Sequence, residues 1–151
     1  RAVEILRQAG AGGASVNAGG DIRLLGDRRG APWRIGIQHP RLPQMVLGVL
    51  SLADTAVVTS GDYERFFERD GIRYHHLFDP RSGEPARLAQ SVTVVAASAA
   101  LADGLATAAF VLGPAAGIEL LERQPGVEGM VVDATGRPHL TSGLRGEIEW
   151  P

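Results

Sequence analysis

Strand-like apolar runs outnumber helical ones in this chain, and the two kinds do not alternate in a βαβ rhythm. That excludes a wound parallel sheet and predicts an α+β fold, a mostly antiparallel sheet with helices packed on one face. Residues 14–17 and 22–25 read as short strands joined through Gly19-Gly20-Asp21, where glycine tolerates positive φ. Residues 33–38 alternate, residues 46–52 are apolar enough for an interior strand, and Pro32, Pro40 and Pro43 confine the chain around and between them to loops. A further β-rich run, 56–60, ends at Gly61. Asp70-Gly71 between the aromatic-rich runs 63–68 and 72–77 predicts a tight hairpin. Residues 92–96 read as a buried strand, and 127–132 with 138–141 as a terminal hairpin. Helices are predicted over 2–9, stopped by Gly10, over 99–112, stopped by Gly113-Pro114, and over 115–123, ended by Pro125-Gly126.

At 151 residues and 44% hydrophobic, the chain can bury one sizeable core, so a single domain is expected. Basic and acidic residues nearly balance, with a formal charge of −2, and no basic stripe offers a footprint for nucleic acid. The absence of cysteine excludes disulfides, thiolate metal sites and a thiol nucleophile. No apolar run is long enough to span a bilayer as a helix.

Asp103 and Thr107 stand four residues apart in an apolar helical segment, which puts both oxygens on one face. A segment apolar almost all round is expected to be buried, and a buried lone carboxylate is costly unless paired or bound to metal. Two hard oxygen donors there point to Mg²⁺. The plainer alternative has Asp103 favouring the helix dipole and Thr107 bonding back to a carbonyl. In His75-His76, an imidazole can accept a proton near neutral pH, and strand alternation turns the two rings to opposite faces. Both also read as ordinary strand residues. Asp79-Pro80-Arg81-Ser82-Gly83 carries turn chemistry, and Gly19-Gly20 and Ser60-Gly61 fit either a turn or a close approach of backbone to a ligand. His39 and His139 sit beside prolines with no visible partner and are expected in solvent. A triad of Ser60, His76 and Asp79 can be assembled on paper, without the strand-turn-helix context such a nucleophile needs.

Four polar clusters stand in a fixed order. They are Asn17-Ala18-Gly19-Gly20-Asp21, Thr59-Ser60-Gly61-Asp62-Tyr63, the stretch from His76-Leu77-Phe78-Asp79-Pro80 to Glu84-Pro85, and Asp103 with Thr107. Ser91-Val92-Thr93-Val94-Val95 lies between the last two. Together they resemble the C-terminal half of the ApbE family, the FAD:protein FMN transferases, from Ala2 to about Gly143. The resemblance implies an enzyme in which a threonine hydroxyl of a target flavoprotein attacks the FMN phosphorus of FAD and AMP leaves. It implies Asp103 and Thr107 as Mg²⁺ ligands and His76, in its His-x-x-Asp-Pro motif, as the general base. It also implies a flavin pocket shaped by the Leu77 backbone and Asp79, with Gly19, Gly20, Asp21, Ser60 and Gly61 nearby.

Members of that family carry an N-terminal half that ends in a Lys-Gly-Tyr-Ala type motif and supplies a carbonyl metal ligand and part of the flavin site. The chain opens inside a helical pattern without initiator Met, signal peptide or lipobox cysteine. Residues 1–151 are therefore expected to be the C-terminal part of such a domain, catalytically silent alone and prone to self-association through an uncovered apolar face. The resemblance further implies a parent anchored as a lipoprotein facing the periplasm or cell exterior. The alternative expectation is a non-catalytic flavin-binding or structural remnant of the same fold.

Overall fold

A computed structural model describes residues 1–151. Helix α1 (Ala2–Gln8) leads into a hairpin of β1 (Gly13–Ala18) and β2 (Asp21–Gly26). A second hairpin joins β3 (Trp33–Gln38) and β4 (Val46–Leu52), β5 (Ala56–Gly61) follows, and a third hairpin joins β6 (Phe66–Arg69) and β7 (Ile72–His75). The chain continues through β8 (Ala89–Ala96), α2 (Ala99–Leu112), α3 (Pro114–Glu122), β9 (Glu128–Asp133) and β10 (Pro138–Leu140). A 3-10 turn at Leu144–Gly146 precedes β11 (Ile148–Glu149).

Every strand pairing is antiparallel, and the fold is α+β. Six strands form the main sheet in the order β1-β2-β5-β8-β9-β10. Its helical face buries Val58, Val92, Val94 and Val131 against Ala102, Ala106, Ala109 and Phe110 of α2 and Leu121 of α3. Gly117 lets α3 cross α2 closely, because a Cβ there would lie 2.7 Å from the Ala109 carbonyl oxygen.

The strands do not make one sheet, however. β3, β4 and β11 form a separate three-stranded sheet, and β6 with β7 a two-stranded one. The physical reason is the second face of the main sheet, where Met130 and Val132 are as apolar as the helical side. The β3-β4-β11 sheet covers it, burying Ile37, Leu50 and Ile148 together with Leu144. β11, which the sequence pattern did not assign, joins by pairing Ile148 with Leu50.

The β6-β7 hairpin turns through Asp70 (φ 53°) and Gly71 (φ 74°), the two positive angles that a type I′ turn requires. Two strands alone are marginal in water, so this hairpin depends on attachment to the body. Asp62, buried just past β5, supplies one tie. Its carboxylate accepts hydrogen bonds from Arg41 at 2.6 and 2.7 Å and from Arg73 of β7 at 3.5 Å. One side chain thus joins the β3-β4 loop, the end of β5 and the hairpin. Asp62→Ala should lower folding stability by roughly 1–3 kcal/mol, since it strips the Arg41 guanidinium of its counter-charge and cuts the tie to Arg73, which keeps only Glu68 within its own hairpin at 2.9 Å. Urea unfolding followed by circular dichroism measures this as a drop in midpoint.

Candidate functional site

Helix α2 seats on the sheet through a stripe of small side chains, Ala102, Ala106 and Ala109, closed by Phe110. Leu101 and Leu112 point outward and are 46% and 40% exposed. The helix is therefore not buried all round, and Asp103, expected inside, is exposed on the flank of the stripe. Its carboxylate avoids the desolvation that would demand a partner.

The structure nevertheless gathers four of the sequence-picked residues on that flank. The Thr107 hydroxyl lies 3.2 Å from the Ser60 hydroxyl of β5. Asp21, at the start of β2, has its pKa raised by partial burial and then by the negative charge of Asp103, so the two carboxylates share a field. No group of three or more His, Cys, Asp or Glu side chains is clustered for a metal. What the flank offers is hard oxygen donors of mixed type, carboxylate and hydroxyl, which suits Mg²⁺ because that ion retains waters and substrate oxygens in its shell.

Gly19 and Gly20 lie in the open turn between β1 and β2, with φ of 69° and 109°, and the Gly20 N–H donates to Asn17 Oδ1 at 2.9 Å. They border a cleft of about 220 Å³ with Ile35, Thr59 and Tyr63, toward β3. Gly61 has a packing reason, since a Cβ there would sit 2.5 Å from the Tyr63 ring. Burial of that ring pushes the Tyr63 hydroxyl up to about 12.

At the other end of α2 the two adjacent histidines part. β7 ends at His75, a residue 6% exposed whose ring meets the Phe110 ring edge-on at 5.6 Å between centroids. Its Nε2 lies 2.9 Å from the Ala86 carbonyl oxygen, and its Nδ1 accepts the Leu77 N–H at 3.3 Å. His76 faces out and lines a groove of about 540 Å³ with Phe66, Phe67, Tyr74, Phe78 and Pro85. Leu77 is buried, and its carbonyl accepts the Ala86 N–H at 2.9 Å, so both of its backbone groups are engaged within the chain. Asp79 closes the following turn through its contacts with Arg81, which hold its carboxyl below the usual range. Phe110 lies seven residues beyond Asp103, so His75 and the carboxylate flank are separated by about 10 Å along the helix axis.

Two expectations need correction. His39 is half-buried and accepts the backbone N–H groups of Arg41 and Leu42 at 3.1 and 3.2 Å. His139 is also half-buried and lies 2.8 Å from the Asp133 carboxylate, which the Thr135 hydroxyl and then His139 hold well below its ordinary pKa.

Residues 1–131 match the ApbE family. The chain belongs to that family. Among curated relatives, it is 41% identical over 153 residues to the FAD:protein FMN transferase of Treponema pallidum (strain Nichols), covering 94% of this chain and 42% of the relative. Against the FAD:protein FMN transferase of Vibrio cholerae (strain O395) the identity is 43% over 122 residues, with 79% and 36% covered. The solved ApbE protein of Thermotoga maritima superposes with a TM-score of 0.89 at 38% identity, over 97% of this chain and 48% of that one. The apo flavinyl transferase ApbE of Pseudomonas stutzeri gives 0.77 at 37% identity, over 96% and 46%. The chain thus spans less than half the length of these relatives.

Burial holds the His75 pKa below 6.5, reinforced by His76 and Arg87 and opposed by the Ala86 hydrogen bond and Asp62. The unfolded chain therefore takes up this proton first, and stability is full above pH 6.5 and declines as pH falls toward the folded value. Urea midpoints measured from pH 7 to pH 5 should show the decline, and His75→Phe should flatten it.

Proposed function

We propose that residues 1–151 are the C-terminal part of a Mg²⁺-dependent FAD:protein FMN transferase, moving FMN from FAD to a threonine hydroxyl of a target flavoprotein. The observation that carries this reading is the pair of stations on one helix. Oxygen donors gather beside Asp103, His76 follows the His75 ring that meets Phe110 of the same helix, and the relatives aligned over the same residues bear the transferase name.

The reaction asks little of the protein beyond positioning and charge control. As the acceptor oxygen forms its bond to the FMN phosphorus, the P–O bond to AMP breaks and AMP leaves with the electron pair. His76, exposed on its groove, receives the acceptor's proton. Asp103 and Thr107 would hold Mg²⁺, which when bound neutralises charge on the pyrophosphate. A Thr107 oxygen serving a cation would keep a lone pair for it and donate its proton to the Ser60 hydroxyl 3.2 Å away. Asp21 adds a second negative charge that a cation would relieve. In this reading the flavin nucleotide lies toward Gly19 and Gly20, which border the cleft facing β3, and toward the turn that Asp79 closes.

In a full-length protein carrying this chain, Asp103→Ala should abolish Mg²⁺-dependent transfer without unfolding, because the carboxylate is exposed and makes no structural bond. Thr107→Val should be milder, since water substitutes for a hydroxyl ligand more readily than for a charge. His76→Ala should retain FAD and slow single-turnover transfer by about 10²-fold or more. A normal transfer rate and metal dependence in the Asp103 variant would exclude the assignment.

A further inference from the structure

His76 stands one residue past the end of β7, in a groove that His75 and its strand partner Phe66 also line. The anchor is its buried neighbour. We infer that His75 is the positioning residue for His76, a clamp that pins the chain on both sides of the proposed base and ties it to α2. This rests on the reading of His76 as the base.

Three groups close on one another at this point. The Leu77 N–H can only donate, so Nδ1 of His75 must be the acceptor, and the proton of the neutral ring then sits on Nε2 and is donated to the Ala86 carbonyl. Leu77 and Ala86 are themselves joined by the Ala86 N–H to Leu77 carbonyl bond at 2.9 Å. The ring of His75 therefore seals the neck of the 77–86 loop, and His76 lies between the ring's own Cα and the Leu77 amide that the ring holds. With its backbone pinned at both neighbours, the His76 side chain has only its own torsions left to choose its direction.

The same ring touches the helix that bears Asp103 and Thr107. Phe110 is three residues past Thr107 and seven past Asp103, spacings that share one side of a helix. Its edge contact with His75 sets the base against the oxygen donors through two packed rings instead of a flexible loop. His75 touches no substrate in this scheme. Its contribution is alignment, which phosphoryl transfer rewards heavily.

Three variants in a full-length protein carrying this chain separate the readings. His75→Phe keeps a ring for Phe110 but removes both hydrogen bonds, His75→Asn restores an acceptor for the Leu77 N–H, and His76→Ala removes the base. His75→Phe should slow single-turnover FMN transfer by roughly tenfold or more while the FAD dissociation constant stays within about twofold, and His75→Asn should recover part of the rate. A role in folding alone would weaken FAD binding and rate together, and the small Asn would not rescue either. Normal transfer by His75→Phe beside a crippled His76→Ala would overturn the clamp and leave the base standing. Normal transfer by His76→Ala would overturn both. Nitrogen NMR of the unsubstituted protein provides a check that needs no variant to fold. The Nε2–H tautomer at neutral pH supports the clamp, and a proton on Nδ1 overturns it.

Discussion

β8 must be covered on both faces, and the rest of the architecture answers that demand. Val92, Val94 and Ala96 turn to the helices, while Thr93 and Val95 turn to the second sheet, and all but Val95 are fully or nearly fully shielded. Of the polar side chains on a strand so placed, Thr93 finds a bond inside, with Thr59 across the ladder at 2.8 Å, whereas the buried Ser91 hydroxyl has no partner. Because β5 and β9 flank β8, the helical layer has a continuous apolar floor on which α2 lies. The oxygen donors of the candidate site come from that layer and its floor, so the geometry of Ser60 against Thr107 is inherited from the packing beneath.

The two ends of α2 are held by different physics. Asp103, Thr107, Ser60 and Asp21 stand on elements locked by apolar burial, whereas His76 follows a two-stranded hairpin attached through directional polar contacts. Arg73 reaches Asp62 from the hairpin, and His75 spans Leu77 and Ala86. Hydrophobic contact tolerates small displacements, but these bonds lose strength quickly with distance and angle. The oxygen-donor side thus rests on apolar packing, and the histidine side on bonds whose distances and angles must be kept.

Much of this was legible in the residues. Glycine and proline punctuation placed the strands and helices because each turn needs a backbone state that those residues supply, as Asp70-Gly71 illustrates. Strand alternation separated His75 from His76 correctly. What the sequence did not disclose depends on partners far away in the chain. Nothing near Asp62 announces Arg41 or Arg73, and a two-residue strand such as β11 has no periodicity to detect. The burial of Asp103 was misjudged for another reason. Counting apolar residues ignored their size, and the buried stripe is alanine while the leucines on either side of the segment face out. His139 and Asp133 flank the last hairpin, yet their pairing depends on the register of its two strands.

The alanine stripe of α2 also makes this helix a register-sensitive gauge. Each residue turns an α-helix by about 100°, so Asp103, Thr107 and Phe110 keep a common side only while the count between them is preserved. A leucine or larger residue in place of Ala106 would lift the helix off its floor. A single-residue insertion between Asp103 and Phe110 would leave one of them in place and swing the other around the barrel of the helix. The segment should therefore tolerate exchange of its outward leucines for other side chains far better than any change in its length.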